Sequence, residues 1–269
     1  LIISVGNLNT GGTGKTPMIE YLINTFQGKK IAILSRGYKR KTKGFIIANK
    51  SHSAENLGDE IRQLCHKFPN TIIACDNNRV NGVKKILEHN QQVDVVLLDD
   101  AFQHRQLNRD INILLSEYNN LFLHDQLLPI GQLREYRSEY KRADIIIITK
   151  CPNKISLKDR EEIRTRINLY NHQKIYFSYI NKYKYLHMGS LKSVEINSKK
   201  THIILTGIAS TQTILTHLKN EKINYIHLKF ADHYNFQDKD IFQIIALKND
   251  IAISKNLLLT EKDYYRLSE

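Results

Sequence analysis

An apolar run, Leu1–Val5, leads into Gly6-Asn7-Leu8-Asn9-Thr10-Gly11-Gly12-Thr13-Gly14-Lys15-Thr16, and a stretch with helical periodicity follows. Strand, glycine-rich turn and helix in this order form a P-loop, a cradle for phosphate. Gly11, Gly12 and Gly14 let main-chain N–H groups converge on phosphate oxygens, and the helix N-terminus adds its positive end. Asn9, Thr10 and Thr13 complete the loop, Lys15 reaches the β- and γ-phosphates, and Thr16 offers a hydroxyl to Mg²⁺. The strict pattern has glycine where Asn9 stands; asparagine tolerates left-handed geometry better than most residues.

A second chemical feature closes the run Val95–Leu98, where Asp99 and Asp100 stand side by side. Adjacent carboxylates at the end of a strand repel each other unless a cation intervenes, which suits a Mg²⁺ site. A third is Thr149-Lys150-Cys151-Pro152, which resembles the element that grips guanine but carries proline where the guanine-binding aspartate belongs. Without that acceptor guanine selectivity loses its basis, so ATP is the expected nucleotide. A basic segment, Arg36, Lys39, Arg40, Lys41 and Lys43 around Tyr38, offers charge to a phosphate or to lipid headgroups.

The elements that must position these groups are short β-branched runs alternating with amphipathic stretches. Leu1–Val5, Lys30–Leu34, Thr71–Cys75, Val93–Leu98, Ile111–Leu115 and Ile145–Thr149 read as strands, most of them apolar on both faces. Such strands imply a mostly parallel sheet covered by helices on each side, an α/β fold of the P-loop NTPase type. Met18, Ile19, Leu22, Ile23 and Phe26 give one buried stripe on a helix opened by Pro17. A polar helix from Ser156 to about Tyr170 leads to Lys174–Ile180 and Tyr183–Met188, which read as a hairpin linker. The expected domains are a P-loop domain over 1–172, a linker over 173–189, and a smaller C-terminal α/β domain over 190–269 with strands at His202–Leu205, Tyr225–Phe230 and Asn256–Leu259.

Composition narrows the class. Apolar residues make up 41% and charged residues 25%, ordinary values for a globular chain. Lysine and arginine number 40 against 27 acids, a net charge of +13 that attracts phosphorylated or anionic partners. Cys65, Cys75 and Cys151 are widely spaced and read as inert thiols in a reducing cytoplasm. No apolar run reaches the roughly 20 residues that a membrane span requires.

The strings VGNLNTGGTGKTP, SRGY, GDE, LDDAFQH, LLPIGQLRE, FADHYNF and LTEKD, in this order, resemble the tetraacyldisaccharide 4′-kinases of lipid A biosynthesis across nearly the whole chain. The resemblance implies a P-loop kinase core, a smaller C-terminal α/β domain, a cleft between them, and ATP and Mg²⁺ as cofactors. It implies a catalytic dyad of Asp59 and His233, in which the carboxylate accepts the proton of a sugar hydroxyl and the imidazole tunes it. Taken alone, Asp59 reads first as the cap of a helix over 59–68, and His233 as one of eleven histidines with no set role. The resemblance also places Asp99 and Asp100 on Mg²⁺ and Arg134 and Glu135 near the phosphates, with Gln103 and His104 lining the same cleft and Arg36 and Tyr38 on the substrate side. The expected partners are an anionic glycolipid substrate and the cytoplasmic face of the bacterial inner membrane, with no nucleic acid.

Three departures from the family pattern bear on loop geometry: Ala101 replaces the usual glycine after the acid pair, and Ile61 and Tyr136 replace prolines. The chain opens at Leu1 inside a strand-like run and stops at Glu269 just after the start of a helix. It is therefore expected to be a truncated copy without the family's N-terminal hydrophobic helix. A competing reading is a P-loop ATPase switch that binds DNA or a protein, although such partitioning ATPases carry lysine where this chain has Thr10. A metal-insertion GTPase would need clustered histidine or cysteine ligands and a guanine aspartate.

Overall fold

The computed structural model describes residues 1–38, 40–181, 183–190, 192–208, 211–232, 234, 236–248 and 253–267, in two compact units, 1–181 and 182–269. The larger unit runs β1 (Ile2–Asn7), α1 (Lys15–Thr25), β2 (Ile31–Ser35), β3 (Ile46–Ile47), α2 (Ala54–Leu57), α3 (Asp59–Lys67), β4 (Ile72–Cys75), α4 (Arg79–His89), β5 (Val95–Asp99), β6 (Ile111–Glu117), β7 (Ile145–Cys151), α5 (Leu157–Ile167) and β8 (Lys174–Tyr179). These strands form one eight-stranded sheet in the order β3-β4-β2-β5-β1-β6-β7-β8, parallel throughout except for the β3–β4 pair.

The continuous apolar strands are explained by burial on both faces. Along β2, Ile31 and Ile33 point into a core shared with Ile19, Leu22 and Ile23 of α1 and Ile61 and Leu64 of α3. Ala32 and Leu34 of the same strand meet Val83 and Ile86 of α4 on the opposite face. Farther along that face, Ile146 and Ile148 of β7 pack with Ile163 and Ile167 of α5. From β1 the chain builds β2, β3 and β4 on one side, comes back to insert β5 between β2 and β1, and then crosses to place β6 on the other side of β1. In open parallel sheets, this reversal of strand order leaves a crevice at the carboxyl ends of the strands, where ligands bind.

The structure adjusts several sequence readings. Helix α1 starts at Lys15, so Pro17 sits within the first turn rather than opening the helix. This costs nothing, because N–H groups of a first turn have no partner inside the helix. Lys174–Tyr179 is no hairpin arm: as β8 it pairs parallel with β7 and closes one edge of the large sheet. Only Ile175 of this strand is fully buried, the pattern of an edge strand with solvated positions, which the sequence does not distinguish from a hairpin. The short antiparallel hairpin instead joins β9 (Leu186–His187) to β10 (Lys192–Ser193).

The smaller unit continues with β11 (Thr201–Thr206), α6 (Gln212–Asn220), β12 (Tyr225–Lys229), α7 (Asp238–Lys248), β13 (Ile253–Leu259) and α8 (Glu261–Leu267). Its three-stranded parallel sheet has the order β12-β11-β13. Here the LTEKD string acts as a brace. Thr260 Oγ1 caps α8 by accepting the Asp263 N–H at 3.1 Å, and the buried Asp263 carboxylate accepts the Gly207 N–H at 3.1 Å. Arg266 donates to the Gly207 carbonyl at 2.7 Å, fixing the turn after β11 from both sides.

Candidate active site

The phosphate loop leaves the central strand β1 at the sheet's switch point. Gly11 and Gly14 adopt φ values of 111° and 92°, in the left-handed region that glycine enters without a Cβ penalty. Gly14 is the N-cap of α1, with no side chain capping the helix, so its first amide groups are directed to whatever occupies the loop. Neighbouring elements hold the loop firmly. Thr10 N–H donates to the Gln132 carbonyl at 2.7 Å, and Thr149 Oγ1 at the end of β7 donates to the Thr13 carbonyl at 2.9 Å.

Asn9 does not serve as a left-handed substitute for glycine. Its φ is not positive; its buried side chain donates to Asp125 Oδ2 at 2.6 Å, which ties the loop to the following LLPIGQLRE segment. Ala101, which replaces the family's usual glycine, needs no left-handed geometry, because the residue with positive φ is Asp100, at 48°. Aspartate enters this region more readily than most residues, and Ala101 is simply a buried small side chain.

At the carboxyl end of β5 the two adjacent acids have opposite environments. Asp99 is 2% exposed; Ser35 Oγ donates to its Oδ2 at 3.0 Å, and Oδ1 is buried without a hydrogen-bond partner. Burial, followed by the charges of Glu60 and Asp100, pushes the Asp99 carboxyl up to about 7. Burial also acts against ionisation of Asp100, but there the hydrogen bond and charge of Arg134, with Lys15 and Arg79, prevail and hold the carboxyl below its usual range. Arg134 grips Asp100 through both terminal nitrogens, at 2.8 and 3.1 Å, and donates to the Asn7 carbonyl at 2.9 Å. Lys15 Nζ stands 3.8 Å from Asp100 Oδ1 and 3.4 Å from Asn7 Oδ1.

The donor set fits a nucleotide phosphate with a hard cation. Main-chain amides and Lys15 offer donors to phosphate oxygens, while the orphaned Asp99 Oδ1 beside the loop is the kind of oxygen that Mg²⁺ or its water takes. Among the described residues no cluster of three or more His, Cys, Asp or Glu forms a metal cage.

Comparison with known proteins identifies the family. The family model Tetraacyldisaccharide-1-P 4′-kinase matches residues 1–269. The chain belongs to the tetraacyldisaccharide-1-phosphate 4′-kinase family. A tetraacyldisaccharide 4′-kinase of Flavobacterium psychrophilum is 44% identical over 273 residues, covering 100% of this chain and 78% of that protein. One of Bacteroides fragilis is 40% identical over 282 residues, covering 99% of this chain and 73% of that protein. Among solved structures, LpxK from Aquifex aeolicus in complex with ATP superposes with a TM-score of 0.70 at 29% identity, covering 99% of this chain and 79% of that one. The ATPase-switch and metal-insertion readings are thereby displaced.

Within this 4′-kinase family framework, the other candidate residues fall as follows. Asp59 is the first residue of α3, and the cap is Gly58, so the sequence reading of Asp59 as the N-cap is corrected. Gly58 takes φ 88° and ψ 151°, and a Cβ there would lie 2.7 Å from the Tyr38 carbonyl. The Arg36–Tyr38 turn thus packs beneath the residue that presents Asp59. Arg36 and Tyr38 are exposed, and Arg36 directly follows Ser35, the residue bonded to Asp99. Gln103 donates to the Asn7 carbonyl at 3.0 Å and to Glu135 at 3.3 Å, while Glu135 also pairs with Arg142, so these two brace the floor of the site. Burial, then the charges of Arg79 and Arg36, lower the His104 pKa. His233 and Lys39 lie outside the described residues.

Three contributors escaped the sequence reading. Ser35 and Glu60 sit inside the SRGY and GDE strings, which is the signal that could have found them. Arg79 gave none: it reads as an ordinary charged residue at a helix start, yet it is 2% exposed. Its guanidinium donates to the carbonyls of Asp76 and, at 3.3 Å, Asp99, which places a fixed cation behind the acid pair.

Proposed function

We propose that this chain transfers the γ-phosphate of ATP to the 4′-hydroxyl of a tetraacylated glucosamine disaccharide 1-phosphate, the reaction for which its family is named. The observation that carries the reading is the cluster at the switch point, where the phosphate loop, Lys15, Asp99, Asp100 and Arg134 converge on one edge of the sheet. The amides of residues 9–14 and Lys15 hold the ATP phosphates, and Thr16, Asp99 and Asp100 hold Mg²⁺. Held there, Mg²⁺ would offset negative charge on the phosphates during transfer. Arg134 and Lys15 concentrate positive charge around Asp100, where the transferring phosphoryl group develops negative charge. Asp59 accepts the proton of the acceptor hydroxyl, and His233, assigned from the family motif, tunes that carboxylate. Glu135 and Gln103 keep the β1 end and Arg142 in register. Arg36, Tyr38 and His104 face the acceptor, with Arg40, Lys41 and Lys43 adding charge toward its existing phosphate.

An acylated acceptor is met at a bilayer, so the reading places the chain at the cytoplasmic face of the inner membrane. Among the described residues no helix is long and apolar enough to cross a membrane. The test is incubation with radiolabelled ATP, Mg²⁺ and the disaccharide lipid in mixed micelles. Label is expected in the lipid with the intact chain and to be lost in Asp59→Ala, which still binds ATP. Hydrolysis of ATP with no labelled lipid would overturn the reading.

A further inference from the structure

The LLPIGQLRE segment sorts its apolar residues in two directions. Leu133 is 2% exposed and Leu127 packs against the same core, beside Phe122 and Tyr140. Between them, Leu128 is 53% and Ile130 84% exposed, at the outer end of a tight turn. These are not side chains that failed to find a core, because the turn is built to hold them out. Leu128 N–H donates to the Leu133 carbonyl at 3.0 Å, Gly131 N–H to Leu127 at 3.0 Å, and Leu133 N–H to Gln126 at 2.8 Å. Asp125 Oδ1 accepts the N–H groups of Gln126 and Gln132 at 2.8 and 2.9 Å, closing the base.

That base is joined directly to the phosphate loop. Asp125 holds Asn9, the Gln132 carbonyl holds Thr10, and Arg134 N–H donates to the Leu8 carbonyl at 2.8 Å. The apolar tip is therefore in fixed register with the catalytic edge. We propose that the Leu128–Ile130 tip inserts into the interface of an anionic lipid bilayer and so presents the phosphate-binding edge of the large unit to lipid headgroups. The inference rests on the kinase reading for the nature of the acceptor.

Shape and charge favour a bilayer as the occupant. A stable protein partner needs on the order of 1,000 Å² of complementary surface, which a three-residue tip does not offer. A lipid interface accepts isolated apolar side chains without a shaped counterpart. The net charge of +13 supplies the long-range attraction to anionic headgroups, and the tip adds the apolar contact that charge alone lacks.

The experiment is sedimentation of the full chain with vesicles of phosphatidylethanolamine and phosphatidylglycerol, comparing wild type, Ile130→Glu, Leu128→Glu and Ile130→Trp. Each glutamate variant should weaken vesicle binding about tenfold, the equivalent of about 1.4 kcal/mol, and the tryptophan variant should strengthen it. All should bind ATP as the wild type does, since both side chains point away from the fold. Vesicle binding that is absent in the wild type, or the same in all four proteins, would overturn the proposal. So would glutamate variants that lose affinity for acceptor dispersed as detergent monomers, which would make the tip a holder of substrate acyl chains. A wild-type dimer in sedimentation equilibrium that both glutamate variants abolish would also overturn it, by making the occupant a second copy. Labelled lipid measured in micelles separates the two readings: no phosphotransfer with Ile130-dependent vesicle binding defeats the kinase assignment and leaves the docking tip standing.

Discussion

Asp99→Asn should make the metal-free protein more stable, and increasingly so as pH rises. Asp99 is fully enclosed and its carboxyl is pushed from 3.8 to about 7, chiefly by burial and then by Glu60 and Asp100. Across that window the folded chain holds a proton that the unfolded chain has released, so folding stability falls as pH climbs and levels off above about 7. At about 1.4 kcal/mol per pH unit, the gap from 3.8 to about 7 corresponds to roughly 4 kcal/mol of strain carried by the ionised carboxylate. Asparagine keeps an acceptor for Ser35 Oγ and removes the charge. The gain should be ~1–2 kcal/mol at about pH 5 and ~4 kcal/mol at about pH 8, from the same linkage. A domain of this size moves its midpoint by ~2–4 °C per kcal/mol, so thermal melts in chelator at the two pH values resolve the difference. Packing terms of the amide are the same at both pH values and cancel. A stability difference that does not change with pH, or that favours the wild type more at high pH, would refute the reasoning. The same variant should lose the added stability that Mg²⁺ with ATP gives the wild type, since the group that costs stability is the one assigned to the metal.

Three further substitutions contrast buried with exposed geometry. Arg79→Met should cost ~1–3 kcal/mol in urea unfolding, because it removes the buried donor to the Asp76 and Asp99 carbonyls. Lys84→Met, which breaks an exposed pair with Glu88, should cost less than ~1 kcal/mol in the same measurement. Gly58→Ala forces a Cβ against the Tyr38 carbonyl in a backbone region that is nearly glycine-only, at a cost of ~1–3 kcal/mol. By moving Asp59 it should lower kcat for lipid phosphorylation while the ATP dissociation constant, read by calorimetry, stays within about twofold.

The sequence alone determined the features whose signal is local. A phosphate loop is legible because its glycines, lysine and threonine act through the backbone of one continuous turn. The buried parallel strands are legible because apolar residues on both faces leave only a covered sheet. What it left open depends on partners distant in the chain. Whether Lys174–Tyr179 is a hairpin arm or an edge strand was settled by β7, which the residues themselves do not encode. Asn9 was read by its own conformational tolerance, but its role is set by Asp125, 116 residues away. Asp99 and Asp100 are identical as letters. Only the fold buries one against Glu60 and gives the other Arg134, so only the tertiary structure decides which acid resists ionisation and which is held charged. Arg79 makes the same point in reverse, since a charged residue becomes a core element once surrounding carbonyls compensate its burial. Local backbone chemistry is written in sequence order, whereas electrostatics depends on distance in space, which the fold alone supplies.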